Sequence, residues 1–162
     1  MSFINKLAIM SVVITLIAGN GHLIPIKCEA PMTVERYALI CDMSVEEFTL
    51  LSSCVEAESN RSTNGDLSGR VLIAETILNR VNDDRFPDTI NGVLTQSGQF
   101  STIRRNGTCV TNRTEYSDEA VYIAIQEIEE GTAPNVFFFN CIGYNGLGEP
   151  YDCVGGNYFS TW

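Results

Sequence analysis

The sequence predicts a domain of the α+β class, in which helices form the larger part and a small β-element follows them. Three segments between residues 45 and 130 repeat apolar residues at helical spacing, whereas two later segments are short β-prone runs. The chain has 162 residues, of which 44% are hydrophobic and 19% are charged. These values suit one compact domain with a hydrophobic core and exclude a wholly disordered chain.

The first helix is predicted from Val45 to Glu58. Ser44 and Glu47 form a capping box at its start. Its apolar stripe consists of Phe48, Leu51 and Val55. Three residues further, the stripe reaches Glu58, which therefore points towards the body of the protein. A carboxylate in that place is either desolvated or paired with an arginine, and the alternative is a helix-end acid that reaches solvent.

The later elements are predicted from periodicity and from turn residues. A second helix over residues 66–81 has apolar residues on two sides and is expected to be central, and a third runs from Ser117 or Asp118 to Glu130. Residues 136–140 and 157–162 predict two strands joined by a glycine-rich loop.

The first 30 residues are predicted to be a secretory signal, so the domain is placed at residues 31–162. About a dozen apolar residues follow Lys6, which is enough for a signal core and short for a membrane span of roughly 20 residues. Cleavage is expected after Ala30 or earlier, near Ala18, and an uncleaved signal anchor is the alternative. We therefore expect a secreted protein without stable membrane insertion.

Removal of that segment leaves a domain without lysine or histidine, because Lys6, Lys27 and His22 all lie within it. Ser–His, Cys–His and Ser–Lys nucleophiles and the usual His-containing zinc sites then lack a required residue. The formal net charge of −10 disfavours a nucleic-acid partner, which needs a basic surface. Carboxylate chemistry remains, with no metal or cofactor expected.

The cysteines favour disulfides over metal ligands, because six of them occur in a short exported chain and none forms a CxxC pair. They are Cys28, Cys41, Cys54, Cys109, Cys141 and Cys153. Cys141 and Cys153 flank the glycine-rich loop and are expected to form a local bridge. The remaining connectivity stays open.

Five strings follow one another between residues 45 and 160: VEAES, AETILNRV, RFPDTINGVLTQSGQFS, GTAPNVFFFN and GGNYF. In content and order they resemble the SleB/CwlJ-type cell wall hydrolases, and the NRV, FP-x-T and Q-x-x-Q-F elements are the most specific part of the match. The resemblance implies an exported, cell-wall-associated bacterial enzyme with a lysozyme-like fold. Its expected substrate is the glycan of peptidoglycan, notably in the spore cortex during germination.

By this resemblance Glu58 is the catalytic acid, which agrees with the stripe argument. The implied reaction is lytic transglycosylation, in which one glutamate acts as acid and base on the MurNAc–GlcNAc β-1,4 bond. Hydrolysis would instead need a second carboxylate, for which Asp66 and Glu75 are the nearest candidates in sequence. Glu75 is, however, expected on the exposed side of the second helix.

Seven further residues are predicted to bind the glycan of a monomeric enzyme: Gln96, Gln99, Phe100, Asn79, Asn140, Asn157 and Tyr158. The two glutamines would hydrogen-bond sugar hydroxyls or acetamides, and Phe100 would stack on a sugar face. For Asn79 and its neighbour Arg80 a structural role is the alternative, in which Arg80 pairs with the acids of the next loop. Asn140 and Asn157 line the cleft or, alternatively, satisfy strand ends.

Two positions depart from the family pattern. Glu56 stands where an aromatic residue is common and is expected to place a second charge near the site, and Tyr158 stands where a histidine is common. Tyrosine donates a hydrogen bond but does not titrate near pH 7. These departures support the alternative of a non-catalytic wall-binding module with the same fold, whereas the retained Glu58 favours an enzyme.

Overall fold

The computed structural model describes residues 32–59 and 66–162 in full, and only the backbone of residues 12–17 and 23–28. These two backbone segments are the antiparallel strands β1 (Val12–Ile17) and β2 (Leu23–Cys28). The secretory signal predicted for residues 1–30 lies largely outside the described residues and stays a prediction.

Within residues 32–59 and 66–162 there are five helices and three further strands, which confirms the predicted α+β class. The helices are α1 (Val34–Ile40), α2 (Val45–Ser59), α3 (Leu67–Val81), α4 (Ile90–Leu94) and α5 (Glu115–Glu130). The strands are β3 (Val136–Asn140), β4 (Glu149–Val154) and β5 (Asn157–Thr161). Within the part of the chain that the structure describes, no helix has the length and apolarity to span a membrane.

Helix α2 begins where the capping box predicts. Ser44 Oγ accepts from the Glu47 backbone N–H at 3.1 Å, and Glu47 Oε2 accepts from the Ser44 backbone N–H at 3.3 Å. The stripe residues Phe48, Leu51 and Val55 are fully buried. The helix therefore anchors its C-terminal end, with Glu58, against the core.

Helix α3 is central, as predicted, and packs against α2, α4, α5 and β3. Asp66 caps its N-terminus by accepting from the Ser68 backbone N–H at 3.0 Å. Asn79, in its last turn, donates through Nδ2 to the carbonyl oxygens of Pro134 and Val136, both at 3.0 Å. These bonds fix β3 relative to α3.

Helix α5 begins at Glu115, before the predicted start at Ser117 or Asp118. Thr114 is the N-cap, and it exchanges capping-box hydrogen bonds with Ser117, which is therefore the third residue of the helix rather than its start. The predicted end is confirmed, since Gly131 adopts the left-handed conformation with φ 70°.

The sheet has three strands rather than the predicted two, in the order β3-β5-β4. Sequence pattern missed β4 because its residues are almost all exposed and show no apolar alternation. Gly148 precedes β4 with φ +70°, and a Cβ atom there would lie 1.7 Å from the Thr161 carbonyl oxygen. Only glycine allows this close approach of the chain to β5.

The predicted bridge between Cys141 and Cys153 is not formed, and both are free, as are the three other described cysteines. Asn140 of β3 and Cys153 of β4 both pair with Tyr158 of β5. The central strand therefore lies between Cys153 and Asn140, the residue before Cys141, whose Cα atoms are about 10 Å or two strand spacings apart, whereas a disulfide needs Cα atoms within about 7 Å.

Candidate active site

A cleft of about 510 Å³ lies where the C-terminal end of α2 meets the segment after α4 and the sheet. Its wall contains Glu58 together with four of the predicted substrate-binding residues, which are Gln99, Phe100, Asn140 and Asn157. Three separate regions of the chain thus converge on Glu58.

Glu58 is half-buried, and one of its oxygens is held by a hydroxyl group. Thr102 Oγ1 donates to Glu58 Oε1 at 2.6 Å, and Thr102 is itself only 4% exposed. The Thr102 carbonyl oxygen accepts from the Val110 backbone N–H at 2.9 Å, which fixes the segment that carries the hydroxyl. Sequence reasoning missed Thr102, although it lies only two residues after the Q-x-x-Q-F element.

Gln99 is oriented by Arg80. The buried Arg80 donates through Nη1 to Gln99 Oε1 at 3.0 Å and through Nε to the Phe137 carbonyl oxygen at 2.7 Å. Burial lowers the pKa of Arg80 to about 10, so that it stays cationic at neutral pH. With its oxygen occupied, Gln99 presents its amide N–H groups as donors.

The expected alternative for Arg80, an ion pair with the acids of the following loop, is wrong. Arg85 pairs with Asp83 instead, at 2.6 Å. Arg80 lies over the rings of three phenylalanines at 5.3–5.7 Å, namely Phe86, Phe100 and Phe138. Its cation is therefore held by aromatic faces and carbonyl oxygens.

Asn157 is 2% exposed, and its Nδ2 has no hydrogen-bond partner among the described residues. A buried amide donor without a partner costs free energy of about 1–3 kcal/mol unless something fills the site. Asn140, also in the cleft wall, is partly engaged, because its Oδ1 accepts from the Ile142 backbone N–H at 2.8 Å.

Three predicted substrate-binding residues lie away from this cleft. Gln96 lines a neighbouring cavity of about 500 Å³, which shares Phe100 with the cleft of Glu58. Tyr158 makes an edge contact with Tyr144, with ring centroids 5.2 Å apart, on the strand face opposite Asn157. Asn79 holds β3 through the bonds described above.

Phe100 lies in the cleft wall but is only 6% exposed. Its ring packs against Phe139 at 6.2 Å between centroids and beneath the Arg80 guanidinium. Little of the ring face is left for a sugar, so Phe100 contributes a rim to the cleft.

Glu56 does not add a free charge to the site, contrary to expectation. It is 5% exposed and accepts from Arg70 Nε at 3.2 Å and from Thr114 Oγ1 at 2.8 Å. The resulting ion pair joins α2 to α3 and to the start of α5. A buried charge of this kind is held by its partners.

Neither candidate second carboxylate faces the cleft. Asp66 caps α3, and Glu75 is fully buried rather than exposed, because α3 is covered on both sides. Neither oxygen of Glu75 has a hydrogen-bond partner among the described residues. Burial, and next the neighbouring Glu127 carboxyl, raise the pKa of Glu75 to about 9. Glu75 lines a separate cavity of about 420 Å³ with Glu127.

The comparisons with known proteins agree with this architecture. A family model described as cell wall hydrolase matches residues 64–144, whereas none of the curated proteins matches the chain. The catalytic domain of the SleB protein of Bacillus cereus is 23% identical, with a TM-score of 0.58 over 73% of this chain and 91% of that chain. The catalytic domain of the germination-specific lytic transglycosylase SleB of Bacillus anthracis is 21% identical, with a TM-score of 0.57 over 73% and 96%.

Proposed function

The chain belongs to the cell wall hydrolase family, enzymes that act on peptidoglycan, and from this premise we propose that it is a lytic transglycosylase with Glu58 as its acid and base. The bond to be cut is the β-1,4 bond between MurNAc and GlcNAc. The main support for this proposal is that Glu58 contributes the sole carboxyl group among the described residues of the cleft wall. Hydrolysis requires a second carboxylate to activate water or to form a covalent intermediate.

The reaction needs one proton donor that later accepts a proton. Glu58 donates its proton to the glycosidic oxygen as the bond from that oxygen to C1 of MurNAc breaks, and the GlcNAc hydroxyl leaves. The 6-hydroxyl of the same MurNAc attacks C1 and forms a 1,6-anhydro ring. Its proton passes to Glu58, which restores the starting acid, so the cycle uses no water.

Thr102 supports this role by fixing the carboxyl group. Because its hydroxyl donates to Oε1, the transferable proton of Glu58 belongs on Oε2. A carboxyl group held in one orientation delivers its proton along one direction, which is the geometry that general acid catalysis needs. Thr102 is therefore proposed as a positioning residue.

Substrate binding is assigned to the amide donors of the cleft. The unpartnered Nδ2 of Asn157 and the amide N–H groups of Gln99 suit a carbonyl or hydroxyl acceptor, such as the N-acetyl groups of the glycan. Filling the Asn157 site with an acceptor would remove the cost of its buried, unbonded amide. Gln96 is proposed to contact the strand further along, in the neighbouring cavity.

The sequence also supports a proposal for the cellular setting. We propose that the protein is secreted as a monomer and acts at the cell wall. One fold relative is named as a germination-specific enzyme, which makes spore cortex the first substrate to test.

The test is mass spectrometry of soluble products from purified peptidoglycan. Anhydro-muropeptides are expected from the wild type and from Glu46→Gln, an exposed acid on the same helix, and not from Glu58→Gln. Reducing-end muropeptides would instead indicate hydrolysis. An absence of soluble product, with wall binding retained in all three proteins, would favour a binding module.

A further inference from the structure

Two free cysteines lie at or against the half of α2 that carries Glu58. Cys54 is fully buried on α2, one turn before Glu58. The half-buried Cys109 donates through its thiol to the Ser53 carbonyl oxygen at 3.3 Å. That carbonyl belongs to the peptide group that joins Ser53 to Cys54, so the Cys109 thiol lies against the backbone next to Cys54.

A short hairpin brings Cys109 to this position. Ile103 and Cys109 form an antiparallel bridge, and the Arg104 backbone N–H donates to the Thr108 carbonyl oxygen at 2.8 Å. Gly107 closes the turn with φ +78°. The arm before the turn carries Thr102, so one hairpin, residues 102–110, holds both the hydroxyl on Glu58 and the thiol near Cys54.

The environment of Cys54 ties these groups together. Its Sγ lies 3.9 Å from Thr102 Oγ1, the atom that donates to Glu58. Burial raises the pKa of the Cys54 thiol, and smaller contributions come from Glu58 and Cys109, both of which lie near it. In its reduced form Cys54 packs in the hydrophobic core as a small apolar residue.

We propose that Cys54 and Cys109 are joined by a disulfide in the exported protein, which fastens the hairpin 102–110 to α2 and holds Thr102 against Glu58. The bond forms by thiol–disulfide exchange with a disulfide oxidant of the cell exterior. The two cysteines lose two protons and two electrons, and the oxidant leaves as two thiols. The rival pair, Cys141 and Cys153, is separated by the central strand β5.

The cross-link is read directly by peptide mapping. The protein is incubated with oxidised glutathione, alkylated, and digested without reduction by trypsin and a glutamate-specific protease. Cleavage after acids and arginines releases Cys54 on fragment 48–56 and Cys109 on fragment 106–113, each with a single cysteine. We expect to detect the mass of these two fragments joined by a disulfide. Both fragments alkylated, or either linked to another cysteine, would overturn the proposal.

Stability gives a second readout. Reductant should lower the unfolding temperature of the wild type on the order of 10 °C, since the bond closes a long loop in the unfolded chain. Cys153→Ala should retain this response, and the double variant Cys54→Ala with Cys109→Ala should lose it. An equal response in the double variant would contradict the assignment.

Activity tests the consequence for Thr102 separately. Reduction should slow release of anhydro product by the wild type several-fold, and an unchanged rate in a reduced, folded protein would refute the positioning effect. A linked protein that releases no product would refute the proposed function while leaving the disulfide established. The two proposals therefore fail in distinguishable ways.

Discussion

Replacing Glu75 by glutamine should change how the stability of the protein depends on pH. The Glu75 carboxyl group is fully buried, and its pKa is raised from an ordinary value of 4.5 to about 9, first by burial and then by Glu127. Between these values the unfolded chain releases the proton and the folded chain keeps it. Stability contributed by this residue is therefore lost as the pH rises from 4.5 towards 9.

The magnitude follows from the linkage between proton binding and folding. Each pH unit in this window costs about 1.4 kcal/mol of the free energy of unfolding. Glu75→Gln carries no titrating group, so its stability relative to the wild type should rise by about 2.5 kcal/mol from pH 5 to pH 7. Any fixed cost of burying the amide applies at both pH values and cancels from this difference.

The assay is urea unfolding of both proteins at pH 5, 6 and 7, with Glu129→Gln as the control. Glu129 is an exposed acid on α5, close in sequence to Glu127. The control should follow the wild type at every pH. If the free energy of unfolding changed with pH equally in the wild type and in Glu75→Gln, the burial of an uncompensated carboxyl group at this position would be refuted.

Three further predictions concern the site and its supports. Thr102→Val removes the hydroxyl on Glu58 without changing the side-chain shape, and should lower kcat for anhydro product about tenfold or more with little change in unfolding temperature; an unchanged kcat would contradict the positioning role. Asn157→Ala should raise KM and destabilise the fold by less than about 1 kcal/mol, because its Nδ2 makes no hydrogen bond within the described residues; a large loss of stability without a KM effect would show a structural role. Glu56→Ala should cost about 3–5 kcal/mol in urea unfolding by leaving the Arg70 cation buried, and the double variant with Arg70→Met should recover part of that loss; strictly additive losses would argue against the ion pair.

Local rules predicted the parts of the fold whose signals are local. The Ser44 capping box set the start of α2, and the left-handed Gly131 set the end of α5. The stripe that began at Phe48 led to Glu58, and the structure puts that carboxyl in a cleft with four other predicted residues. Segments with strong periodicity could thus be predicted from the sequence.

Features that depend on contacts between distant residues could not be predicted from sequence patterns. Thr102 meets Glu58 across 44 positions in the chain, and nothing in the neighbouring sequence marks this one hydroxyl. Glu75 was expected to face solvent although its helix was predicted to be central, because the helix pattern does not reveal that α5 also covers the face that carries Glu75. The ion pair of Glu56 could not be predicted from α2 alone, because its partner Arg70 lies on another helix, α3.

The position of β5 between β3 and β4 governs the order in which this part of the molecule can assemble. Both neighbours pair with β5 and not with each other, so neither finds a backbone partner until residues 157–161 are available. A chain halted or cut before Asn157 would lack the whole sheet and one wall of the cleft. Fragments of incomplete synthesis should consequently lack an assembled cleft.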